Sequence, residues 1–248
     1  IRHVHLRDTD GMLCYTLPPG EGIIDWHGFV RALKEVNFDG YLSFEMGGML
    51  EPEKVVRRAR DYMLRVLREE NVYSGRMIAS VSTWSAHQQL LSGKLSAEAF
   101  LRLIREEGAE GVEIVDFDFE NPTAETYQNF YDQAEKQGVE VTCLSIEHSL
   151  CRMTEKRRLE DVEKVKEWMR LAKSLGVRNV RIFTGWMENE ASYHTQLEWV
   201  YEGMRLLTDE AEKLDVDLVL ENHNNVCLAQ RNIPRLHTTD KVNIFACF

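Results

Sequence analysis

Histidine and carboxylate side chains recur where β-like runs of this sequence end. His3-Val4-His5-Leu6 sets two imidazoles two residues apart, so both face one side of a strand, and Asp8 follows. Glu45 comes directly after Leu42-Ser43-Phe44, and Glu221 directly after Leu218-Val219-Leu220. Other apolar runs close on Trp84 and His87, Glu113 and Asp116, Glu147 and His148, Thr184, and Asn222 with His223. Singly, each has an ordinary explanation. A lone strand histidine is more often structural than a ligand. A strand-end carboxylate serves equally as a solvated group, and Glu221 is either a ligand or the partner of a buried cation. Gathered on one rim, carboxylates and imidazoles suit a divalent ion. Carboxylate oxygens favour Mg²⁺ or Mn²⁺, and added imidazole admits Co²⁺ or Zn²⁺.

A rim of strand ends needs strands and helices in alternation, and the periodicity supplies them. Strands are predicted at Arg2–Leu6, Tyr41–Glu45, Ile78–Ser82, Val112–Val115, Val139–Ile146, Asn179–Phe183, Asp217–Leu220 and Val242–Phe245. Helices are predicted at Trp26–Val36, from Pro52 to about Glu70, and at Ser96–Glu107, Thr123–Gln137, Leu159–Leu175 and Thr195–Leu214, with a short one around Ile233–His237. Apolar residues repeat at helical spacing, as in Val55, Val56, Ala59, Met63, Val66 and Leu67. Pro52 suits a first turn, Ser96 a cap, and Gly108, Gly138 and Gly176 the stops.

The polar stretch Glu69–Arg76, with Gly75, is the best linker candidate, and residues 71–76 are taken as the linker. Two strands precede it and six follow. Alternating strands and helices call for parallel βαβ units with right-handed crossovers. Eight such units close a (β/α)₈ barrel, whose functional side chains sit at the C-terminal strand ends. A doubly wound open sheet is the structural alternative. Neither G-x-G-x-x-G nor a Walker loop occurs, so nucleotide binding at a glycine-rich turn has no support.

Composition narrows the function further. The 248 residues are 44% hydrophobic and 29% charged, enough for a sizeable core. With 41 acidic against 30 basic residues the formal charge is −11, which argues against nucleic acid or anionic membrane as a general partner. The chain lacks an apolar run of the ~18 residues that suggest a membrane span. Five scattered cysteines without a C-x-x-C pair read as reduced thiols of a cytoplasmic protein. The chain opens at Ile1 and stops at Phe248, each inside a strand-like run, so both ends read as cut.

Three blocks carry a family resemblance: His5-Leu6-Arg7-Asp8, Pro18-Pro19-Gly20-Glu21-Gly22-Ile23-Ile24-Asp25-Trp26, and Phe38-Asp39-Gly40-Tyr41-Leu42-Ser43-Phe44-Glu45. They resemble the end of a xylose isomerase-like TIM barrel, of the sugar phosphate isomerase/epimerase superfamily that also holds endonuclease IV. The first and third blocks resemble that family's seventh and eighth strands. Leu220-Glu221-Asn222-His223 resembles its fifth strand, and Gly111-Val112-Glu113-Ile114 its second. Residues 1–70 thus resemble the last two βα units and residues 77–248 the first six strands, an incomplete or permuted order. A tandem fragment, a circular permutant and a partial gene record all produce that order, and the cut ends favour the first. The family's sixth strand supplies a metal-binding Asp, and here Cys247-Phe248 stands where that strand should finish.

The resemblance implies a metal-dependent sugar or sugar-phosphate isomerase or epimerase. In such chemistry a divalent ion polarises a carbonyl and carboxylates move a proton through an enediolate. It implies His5, Glu45 and Glu221 as metal ligands, with Glu45 and Glu221 also the acid/base pair. Asn222, His223, His148 and Glu113 are the implied substrate contacts, and Trp84 and Trp186 could wall the sugar. The partner is a small sugar, not nucleic acid or membrane, and homo-oligomerisation stays open. Rival readings are a sugar or inositol dehydratase on the same fold, an endonuclease IV-like activity opposed by the charge, and a truncated barrel without catalysis.

Overall fold

The alternation of β-like and amphipathic runs is realised in a computed structural model that describes residues 3–12, 16–46, 52–72, 78–120, 122–221 and 242–247. The strands are β1 (His3–Leu6), β2 (Tyr41–Phe44), β3 (Ile78–Ser82), β4 (Gly111–Val115), β5 (Glu140–Ser145), β6 (Asn179–Ile182), β7 (Asp217–Glu221) and β8 (Val242–Cys247). The helices are α1 (Trp26–Glu35), α2 (Pro52–Glu69), α3 (His87–Leu91), α4 (Ala97–Glu106), α5 (Ala124–Gln137), α6 (Glu155–Leu175) and α7 (Tyr193–Leu214). Hydrogen-bonded neighbours follow chain order. The chain forms two compact units, residues 1–142 with 247–248, and residues 143–246.

In the first unit β1 to β4 are parallel, with His5 opposite Ser43, Ser43 opposite Ser80, and Ser82 opposite Glu113. Because side chains alternate, this register gathers His3, His5, Ser43, Ser80, Ser82 and Glu113 on one buried polar face. The other face is Val4, Leu6, Leu42, Phe44, Val81, Val112 and Ile114, all buried. Leu6, Leu42 and Phe44 line one cavity with Met63, Leu64 and Leu67 of α2, of which Met63 and Leu67 belong to the apolar stripe predicted for that helix. The pairing of β2 with β3 joins residues 1–70 to the sheet that follows Met77, as the strand count required.

In the second unit the end of β5 pairs with β6 (Ser145 opposite Arg181), β6 with β7, and β7 with β8. Leu144, Val180, Ile182, Leu218 and Leu220 are its buried apolar strand residues, and the buried stripes of α6 and α7 accompany them.

Most element ends lie within a few residues of expectation, and the differences have local causes. Helix α6 begins at Glu155 rather than Leu159, because the Thr154 side chain caps it by accepting from the Arg157 amide. Its first turn, Glu155-Lys156-Arg157-Arg158, has no apolar position, so periodicity misses it. Strand β7 runs one residue longer than expected and includes Glu221. The five-residue α3 is too short to show a helical period. The expected helix around residues 233–237 and most of the expected linker lie outside the described residues.

Candidate active site

The polar face of the first unit is built around His5. Its ring is fully buried and has a carboxylate at each nitrogen: Nε2 lies 2.5 Å from Glu113 Oε2, and Nδ1 lies 3.2 Å from Glu45 Oε2. Arg7 donates to the same Glu45 oxygen at 3.1 Å. One turn of the alternation away, His3 Nε2 is 2.5 Å from Ser43 Oγ and 3.8 Å from Glu113 Oε2. Three strands and the residues that follow them therefore position six polar groups on one patch, with Arg7 and Glu45 partly open and the others buried.

The loop after β1 holds its shape through Asp8, which sequence reasoning placed at the functional rim. This residue follows the end of β1, where the loop engages its carboxylate. Asp8 is buried and accepts from the Thr9, Gly20 and Ile24 amides and from Trp26 Nε1. Burial pushes its carboxyl up, but these hydrogen bonds, that of Trp26 first, outweigh it and hold the group below its usual range. The Pro-Pro-Gly-Glu-Gly block is thus a pinned loop whose amides serve Asp8.

A second cluster of the first unit joins the ends of β3 and β4. Asp118 is buried and accepts from the Thr83 hydroxyl and, at 2.6 Å, from His87 Nδ1. Burial pushes its carboxyl up to about 6, against those two hydrogen bonds. Trp84 stacks at 4.7 Å on His87 and packs edge-on against Phe117. Trp84 is thus engaged by its neighbours, whereas Trp186, in the second unit, is 53% exposed.

In the second unit Glu221 Oε2 accepts from Arg181 NH1 at 2.7 Å, with both side chains almost fully buried. Glu221 is thus the partner of a buried cation, one of the two readings open for it. Arg181 also lies over the Phe183 ring, 4.2 Å from its centroid. His148 is buried, donates from Nδ1 to the Ile146 carbonyl at 3.2 Å, and stacks on Phe183. Its Nε2 has no hydrogen-bond partner among the described residues. Burial pushes this imidazole down to about 4. Glu147 is exposed, and its carbonyl accepts from Lys164. Cys143 and Cys151 are free thiols, and burial pushes Cys151 up to about 12.

Of the residues expected at the site, His5, Glu45 and Glu113 come together in the first unit. His148 and Glu221 belong to the second unit, and Asn222 and His223 lie outside the described residues. Ser43, Arg7 and Arg181 were missed as partners. Arg181 had a signal, a charged residue inside the apolar run Asn179-Val180-Arg181-Ile182-Phe183. The donor set fits a divalent ion. Imidazole nitrogen beside carboxylate oxygen is the mixed N/O chemistry that Mn²⁺, Co²⁺ and Zn²⁺ accept, and the ligand atoms of His3, His5 and Glu113 lie within 4.8 Å of one another.

This fold and polar patch define a class, and the comparisons with known proteins agree. The family model described as xylose isomerase-like TIM barrel matches residues 1–66 and 101–243, and the chain belongs to that family. Among solved structures, a D-tagatose 3-epimerase-like protein is similar at a TM-score of 0.56 and 17% identity, over 68% of this chain and 64% of that one. D-psicose 3-epimerase from Clostridium cellulolyticum H10 is similar at a TM-score of 0.53 and 12% identity, over 68% of this chain and 63% of that one. These identities establish the shared fold. The chain spans less than two thirds of these solved structures. A search of curated proteins finds no match. No helix among the described residues is long and apolar enough to cross a membrane.

Proposed function

We propose that the protein is a metal-dependent sugar or sugar-phosphate isomerase or epimerase of the cytoplasm. The observation that carries this reading is the buried His5 with Glu45 3.2 Å from its Nδ1, in a chain of the xylose isomerase-like family. His5 and Glu45 would hold a divalent ion, with Glu221 as a third ligand on the strength of its resemblance to the family's fifth strand. Bound there, the ion would polarise a substrate carbonyl and acidify the neighbouring C–H.

The chain's own groups do the rest. Glu45 is the more accessible base, and the hydrogen bond from Arg7 aims its carboxylate. Glu221 is proposed as the second carboxylate of the acid/base pair, with the hydrogen bond from Arg181 orienting it. A base on each face of the reacting carbon is what proton removal and return through an enediolate requires. His148, Asn222 and His223 are proposed to contact sugar hydroxyls.

The test is NMR of candidate ketoses and their phosphates in D₂O with Mn²⁺ or Mg²⁺ present. Deuterium should enter at the carbon beside the carbonyl, and Glu45→Gln should slow that exchange at least about 100-fold. Full exchange in Glu45→Gln and Glu221→Gln would remove both from the chemistry. Loss of water from the substrate instead would assign the dehydratase reaction.

A further inference from the structure

Glu113 entered as a substrate contact, and its surroundings assign it different work. It sits in β4, opposite Ser82, on the polar face, and is fully buried. Its Oε2 lies 2.5 Å from Nε2 of His5, which is also fully buried. An ionised carboxylate can only accept, so the shared proton belongs to Nε2 of the imidazole. In the neutral ring Nδ1 then carries the lone pair, and it is Nδ1 that stands 3.2 Å from Glu45 Oε2. Two acceptor atoms facing each other at that distance repel unless a proton or a metal ion lies between them. Glu113 is itself held from behind, because His3 Nε2 lies 3.8 Å from the same oxygen and 2.5 Å from Ser43 Oγ.

We propose that Glu113 is a positioning residue that fixes His5 as its Nε2–H tautomer and turns the Nδ1 lone pair toward the cation position shared with Glu45. This rests on the metal-site reading above. It does not need Glu113 to touch metal or sugar. Outer carboxylates of this kind orient a ligating imidazole and raise its basicity, and their loss typically costs 10- to 100-fold in metal affinity.

The experiment pairs a tautomer measurement with metal binding. Long-range ¹H–¹⁵N NMR of histidine-labelled, metal-free protein reads which His5 nitrogen carries hydrogen, the signal being assigned by its loss in His5→Gln. The wild type should show hydrogen on Nε2, with any proton on Nδ1 giving way to the metal. Calorimetric titration with Mn²⁺ should give an affinity about 10- to 100-fold weaker in Glu113→Leu, together with a mixture of His5 tautomers. Glu113→Gln keeps the volume and an acceptor oxygen, guards against a folding defect in the Leu protein, and should retain the Nε2–H signal and most of the affinity. Hydrogen on Nδ1 with none on Nε2 in the wild type would overturn the proposal, as would undiminished Mn²⁺ affinity in a folded Glu113→Leu. A proton switch to Nδ1 in Glu113→Gln with unchanged affinity would overturn it too. A wild type with the Nε2–H tautomer but no Mn²⁺ binding would leave the tautomer assignment standing and remove the metal reading.

Discussion

His148 shows how one buried side chain couples pH to stability. An imidazole titrates near 6.5 in the unfolded chain, and burial pushes it down to about 4 in the fold. Between those values the unfolded chain holds a proton that the native state refuses. Stability therefore falls as the pH drops through this window, by about 2 kcal/mol from this group at pH 5. Urea unfolding of wild type and His148→Gln between pH 7.5 and 5 measures the difference. The wild type should lose more stability over that range than the variant, and parallel losses would mean that His148 is not the group responsible. Glu221 makes the complementary point. Its buried charge is compensated by Arg181, so a carboxylate placed by sequence at a strand end is also a structural ion pair.

The loop between β1 and α1 is the element whose chemistry is most local. Asp8 draws amides from both ends of the loop and the indole of Trp26 into one cluster, and Gly22 lets the chain come that close. A Cβ on Gly22 would lie 2.3 Å from both Asp8 Oδ1 and the Thr9 carbonyl oxygen. Because one of these is backbone, the conflict has no side-chain escape. Gly22→Ala should cost about 1–3 kcal/mol in thermal or urea unfolding. Glu21→Ala next to it, on the surface and paired with Arg58, should stay within about 0.5 kcal/mol. Equal effects of the two substitutions would show that the loop is not pinned as described. The block is recognisable in sequence as a motif, and the structure shows that its glycines serve the Asp8 cluster.

At the scale of the whole molecule, a ligand that binds only the folded chain must raise its melting temperature. At a free Mn²⁺ concentration 100 times the dissociation constant, the gain is about 2.7 kcal/mol, or roughly 5–10 °C for a chain of this size. The rise should vanish in His5→Ala and shrink in Glu45→Gln. A chain with a formal charge of −11 also gathers cations diffusely. An equal rise in His5→Ala would assign the whole effect to that diffuse binding.

Local sequence was enough for the order and type of nearly every element, because apolar spacing of two or of three to four residues is written in consecutive positions. It was also enough to set His3 with His5, and Ser43 with Glu45, on common faces, since alternation along a strand needs no knowledge of neighbours. Family resemblance in the His-Leu-Arg-Asp and Gly-Tyr-Leu-Ser-Phe-Glu blocks marks His5 and Glu45 as candidates without any geometry. Partnership was another matter. That His5 meets Glu113, 108 positions away, and that Glu221 meets Arg181, 40 positions away, follows from which strands lie side by side and in what register. Those pairings are decided when the apolar faces of all the strands are buried at once. A polar residue's partner is then whichever group the register delivers within about 3 Å, and only the tertiary structure holds that information.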